Sequence, residues 1–129
     1  MDSAIKEEED LYRRVDVRPQ FWKEECDRPS SALFKDSNGV SVDRSNNRSL
    51  EDIIKDEERL HRVFGSEDLK AVISVSKKTC EDKDIYVKCD PIDNNEHHCI
   101  IQRTESEVPL TSGQAKYLSK QCVIRKRYV

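Results

Sequence analysis

The sequence predicts a single small α+β domain, mostly an antiparallel sheet of five or six short strands, with two helices at about 50–64 and 112–120. Three observations lead there. A length of 129 residues suits one domain and is short for two. The apolar residues fall in short runs, such as Val72-Ile73 and Cys99-Ile100-Ile101. One segment, Leu50 to Phe64, carries a helical period behind a capping serine, and short β-rich runs surround it.

Met1 to Asp10 contains Glu7-Glu8-Glu9-Asp10 and reads as an acidic, disordered tail ahead of a domain spanning 11–129. Leu11-Tyr12-Arg13-Arg14-Val15 reads as a short strand. Pro19 to Trp22 is a turn or short helical piece that packs the only tryptophan. Pro29 pushes Arg28 into an extended conformation, and Arg28 to Asp36, which has no clean period, reads as a loop entering a short extended piece. Asn38-Gly39 signals a tight turn into the alternating strand Val40-Ser41-Val42. Ser49 then caps a helix whose first-turn acids, Glu51 and Asp52, suit the positive end of the helix dipole. Leu50, Ile53, Ile54, Leu60, Val63 and Phe64 form its inward stripe, and Gly65 ends it. Leu69 to Ser76, Ile85 to Cys89 and His98 to Arg103 are β-rich, the last two forming a hairpin across Asp90 to Asn95. Thr111 or Ser112 caps a helix running to Lys120 with Ala115 and Leu118 inward, and Cys122 to Val129 is a final strand.

Composition narrows the function classes. The N-terminus has no apolar signal region, and no run approaches the ~18 apolar residues of a membrane span. Five cysteines, Cys26, Cys80, Cys89, Cys99 and Cys122, are an odd number for a secreted disulfide framework, so free thiols and a cytoplasmic location are expected. A net charge of −3 argues against a general attraction for nucleic acid. The basic residues Lys116, Lys120, Arg125, Lys126 and Arg127 form a local exception. They read either as a solvated helix and a protected edge strand or as a site for a phosphate or an acidic partner. With three glycines, the chain lacks the dinucleotide fingerprint, the phosphate-binding loop and the Gly-x-Ser-x-Gly elbow.

Glu96-His97-His98-Cys99, with Cys80 and Cys89 upstream, has the residue types zinc prefers but not the spacing. Neighbours on a strand point to opposite faces, so zinc is disfavoured and neither a metal nor a cofactor is expected. Cys89 and Cys99 read instead as small residues on paired strands. No motif singles out a cysteine nucleophile beside His61, His97 or His98. Glu81 and Lys83, with Asp68, resemble a metal-dependent nuclease core, a pattern that recurs by chance at 38% charge. Ser30 and Ser31, flanked by Arg28 and stiffened by Pro29, either bind an oxyanion or a partner's backbone or satisfy their own turn.

The segments Leu11 to Arg14, Arg28 to Asp36, Ser41-Val42, Asp90-Pro91, His98 to Ile101 and Ala115 to Ile124 resemble a family of small uncharacterised bacterial proteins with an Arg-Pro-Ser-Ser-x-x-Phe-x-Asp motif. The resemblance brings no established activity. It implies an accessory module linked to a defence or ubiquitin-like modification system, with His98 as the family-like histidine. A fainter resemblance is to ADP-ribosyltransferase-like toxins, in which Arg13 would contact the dinucleotide. This chain lacks their glycine-rich turn and a convincing catalytic glutamate.

The leading expectation is therefore an interaction module with a protein partner, using Arg13, Arg28, Ser30, Ser31, Phe34 and His98. No catalytic residue is assigned. The alternative is a small ADP-ribosyltransferase-like or nucleotide-handling enzyme using Arg13, Ser30, Ser31 and His98. Convergence of Arg13, Arg28, Ser30 and His98 in one concave pocket favours a ligand site; scatter, with the serines bonded to their own backbone, counts against it.

Overall fold

Period-two alternation sends Leu11 and Val15, Val40 and Val42, Ala71, Ile73 and Val75, and Cys99 and Ile101 to one side of a common sheet, where all are buried. The computed structural model describes residues 4–128. Met1 to Ser3 of the expected acidic tail and Val129 of the expected last strand lie outside the described residues. The strands are β1 (Asp10–Asp16), β2 (Trp22–Lys23), β3 (Arg28–Pro29), β4 (Val40–Arg44), β5 (Leu69–Ser76), β6 (Tyr86–Cys89), β7 (His98–Gln102) and β8 (Val123–Arg127). The helices are α1 (Leu50–Phe64), α2 (Lys77–Glu81) and α3 (Ser112–Gln121). Six strands form one sheet in the order β6-β7-β4-β1-β5-β8, every neighbouring pair antiparallel, and β2 pairs β3 separately. The domain is thus α+β.

The larger core lies between the sheet and α3, where Leu33, Phe34, Trp22, Ala115 and Leu118 close over the alternating strand residues. The opposite side is covered by α1, whose Ile53 and Ile54 pack on Tyr12 and Val72. Ser49 caps α1 by accepting the Asp52 amide at 3.2 Å, and Thr111 with Gln114 forms a reciprocal capping box on α3. Gly65 ends α1 with an extended backbone rather than a left-handed one. Glycine is required there because a Cβ would run into the His61 ring.

Three features differ from the sequence expectation. Leu50, Val63 and Phe64 are exposed, because the face that packs runs through Ile53, Ile54, Glu57 and Leu60. Ser31 to Phe34 winds into a 3-10 turn rather than extending, which drives Leu33 and Phe34 into the core. Residues 77–81 form a third helix, capped by Ser76 and too short to show a period. Ahead of β1, Ile5 is buried, and Glu9 makes two 2.9 Å hydrogen bonds to Arg44.

A candidate ligand pocket at a fissure in the sheet

The two central strands part company early. β1 pairs β5 from Asp10 to Asp16, but its pairing with β4 covers Leu11↔Arg44 and Tyr12↔Asp43. Past that point the Arg13 guanidinium takes the place of the missing ladder, donating to the Ser41 carbonyl at 2.8 Å and to the Leu33 carbonyl at 3.1 Å. Burial pushes Arg13 down to about 10, with Asp36 opposing the shift, so it keeps its charge at neutral pH. A cavity of about 320 Å³ opens beside this fissure, lined by β1, β4, the end of α1 and His98 of β7. Its size falls within the range of small-molecule sites.

Glu57 stands in its wall. It occupies the middle of the buried face of α1 and is 0% exposed, yet neither carboxylate oxygen has a hydrogen-bond partner. The nearest cation, Arg14, is 4.0 Å away, too far for a hydrogen bond. Burial, together with the neighbouring Asp43 carboxyl, raises Glu57 well above the usual carboxylate range. Ionised, the two acids repel and offer each other no donor; protonated, Glu57 can donate to Asp43. Asp43 accepts from the Asn95 side-chain amide on its other side. Both acids line the cavity.

Beside the carboxyl pair lies a second polar chain. Asp43 and His98 are register partners of β4 and β7, which places Ser41 diagonally across from His98 on the same face. His98 Nε2 lies 3.1 Å from Ser41 Oγ, and Nδ1 lies 2.8 Å from the Asp90 carbonyl oxygen and 3.3 Å from Asp90 Oδ2. A carbonyl oxygen can only accept, so Nδ1 carries a proton, and in the neutral ring Nε2 offers its lone pair to the Ser41 hydroxyl. The ring is 9% exposed, whereas Ser41 is exposed and faces the cavity.

Of the residues singled out in sequence, Arg13 and His98 meet at this pocket. The others lie elsewhere. Arg28 donates to the Ser119, Lys120 and Cys122 carbonyls and closes the C-terminal end of α3. Ser30 Oγ bonds the Gln20 carbonyl, Ser31 opens the 3-10 turn, and Phe34 is 0% exposed in the core. Asp36 lines the pocket, so the Arg-Pro-Ser-Ser segment touches it at its far end.

The residues that sequence reading missed as site members are Arg14, Ser41, Asp43 and Glu57. Glu57 left a signal: a charged residue three positions after Ile54 and three before Leu60 interrupts an apolar stripe.

The conspicuous clusters are otherwise engaged. Cys89 and Cys99 are register partners on β6 and β7, and no group of three metal-binding side chains occurs among the described residues. Burial pushes the Cys80 and Cys99 thiols up to about 12, which leaves them protonated and weakly nucleophilic. Arg125, Lys126 and Arg127 pair with Asp10, Glu58 and Asp27 of the same chain, and β8 is an edge strand. Among the described residues no helix is long and apolar enough to cross a membrane. Compared with protein-family models, with curated proteins and with solved structures, the chain matches none.

Proposed function

We propose that this protein is a cytoplasmic accessory module, acting beside a larger partner protein, that binds a small polar ligand in the cavity between β1, β4 and α1. One observation carries the reading: a fully buried glutamate at the cavity wall receives no hydrogen bond from any donor of the protein, and its near neighbour Asp43 is another acid. Such a group costs stability when left alone, and a ligand that supplies its partner recovers that cost. The lining specifies the ligand's chemistry. The Glu57–Asp43 pair takes a donor such as an amine or the amino edge of a heteroaromatic ring. Arg14, less committed than Arg13 or the Asp16-paired Arg18, takes an anionic group. Phe21 and Phe64 give the lining an apolar contribution. The resemblance to small bacterial proteins linked to defence or ubiquitin-like modification accords with an accessory role.

Thermal unfolding in the presence of AMP, ADP-ribose, NAD⁺, L-arginine and inorganic phosphate tests the reading, because a ligand that binds the folded state raises its stability. We expect a concentration-dependent rise with at least one amine-bearing anion, absent in Arg14→Gln and retained in Arg28→Gln. No rise with any probe at millimolar concentration, or a rise that persists in Arg14→Gln, overturns it.

A further inference from the structure

We infer that the pocket also carries out covalent chemistry, with Ser41 as nucleophile, His98 as general base and Asp90 as the residue that positions the histidine. The substrate class is a small polar carboxylic ester. The inference adds a reaction to the binding site proposed above and rests on that cavity being open to a ligand. Three independent pieces of geometry support it. Ser41 is exposed and lines the cavity, with its hydroxyl within hydrogen-bond reach of Nε2. The histidine is buried and its tautomer is fixed by the Asp90 carbonyl, so the lone pair is aimed at the serine without any further rearrangement. The Asp90 carboxylate stands 3.3 Å from the same Nδ1, where it stabilises the imidazolium that forms when the proton moves. The nucleophile's own backbone is clamped as well, because Arg13 holds the Ser41 carbonyl at 2.8 Å.

The reaction balances with water as the only co-reactant. Ser41 Oγ attacks the ester carbonyl carbon as its proton passes to His98 Nε2, and negative charge collects on the former carbonyl oxygen. The bond to the leaving alcohol oxygen then breaks, and His98 returns its proton to that oxygen. Water, deprotonated in turn by His98, releases the acyl group as a carboxylic acid and restores the serine. Of the guanidinium groups lining the cavity, Arg13 is committed to carbonyls and Arg18 to Asp16, which leaves Arg14 to face the developing oxyanion.

The test uses the full chain with diisopropyl fluorophosphate, which needs a nucleophile but no knowledge of the natural ligand, and p-nitrophenyl acetate as a turnover probe. We expect one adduct per chain, mapped by mass spectrometry to Ser41. It should be absent in Ser41→Ala and in urea-unfolded protein, and at least 100-fold slower to form in His98→Gln. Asp90→Asn keeps the backbone carbonyl, so ester turnover per folded molecule should fall in kcat with KM unchanged, the folded fraction being taken from the circular dichroism of the same sample. An adduct elsewhere, or no adduct together with ester hydrolysis equal to that of Ser41→Ala, overturns the inference. Circular dichroism of each variant separates loss of chemistry from loss of fold. Should labelling fail while a probe still stabilises the protein, the nucleophile falls and the binding reading stands. If labelling succeeds without stabilisation by any probe, the proposed ligand chemistry falls instead.

Discussion

Glu57→Gln isolates the energetic consequence of the unpartnered acid. In the folded protein Glu57 sits well above its ordinary value of 4.5, because burial and the Asp43 carboxyl both penalise its charge. A folded value above the unfolded one means that the native state binds the extra proton throughout the window between them. Stability from this group is therefore fully present below the unfolded value and is lost as pH rises through the folded one. Glutamine has nearly the same shape, does not titrate, and donates an amide N–H to Asp43 as the protonated acid does. At pH 5 variant and wild type should differ little. At pH 9 the variant should be more stable by about 1–3 kcal/mol, the cost of leaving a buried polar group unsatisfied. That corresponds to roughly 2–8 °C in Tm for each kcal/mol in chains of comparable size. Urea unfolding of both proteins at pH 5, 7 and 9 measures it. Taking the difference cancels background titration, including that of Glu9, where hydrogen bonds from Arg44 and the Asn46 amide outweigh burial and hold the carboxyl low. A constant offset across the three pH values, or a wild type that gains on the variant as pH rises, refutes the reasoning.

Arg13→Lys removes a fork that spans two carbonyls, so it should cost about 1–3 kcal/mol and raise amide hydrogen exchange in β4 while leaving β5 unchanged; equal exchange in both strands would place Arg13 outside the fissure's support. Arg28→Ala should lower the urea midpoint by a similar energy through the freed α3 carbonyls, without altering reactivity at Ser41 in the protein that remains folded. Phe34→Ala should cost about 3–5 kcal/mol in chemical denaturation, because the ring is fully enclosed; a loss below about 1 kcal/mol would contradict its burial.

What could be read from the sequence and what could not divide along the range of the interactions. Ser49, the first-turn acids, the period from Ile53 to Leu60 and Gly65 specified α1 because capping and amphipathicity act over a few residues. The hairpin of β6 and β7 was legible for the same reason: two β-rich runs flank a short polar turn. The exposure of Val63 and Phe64 was not, since periodicity says which residues share a face but not which of them a partner element covers.

The pocket depended on distance in the chain. Arg28-Pro29-Ser30-Ser31 looked chemical because polar residues stand together, yet their hydrogen bonds go to backbone carbonyls of this chain. Ser41, Asp90 and His98 stand in three separate segments of the resemblance, and only the antiparallel register of β4 on β7 with the turn before β7 brings them together. Glu57 showed itself in sequence only as an interruption. That no donor reaches it depends on what packs around α1, which no local pattern encodes. By itself, then, the sequence determined the α+β class, the helices at about 50–64 and 112–120 and most strands, through short-range propensity and patterning. The tertiary structure alone decided where polar side chains from β1, β4, α1 and β7 meet, because that depends on long-range register and on where the sheet opens.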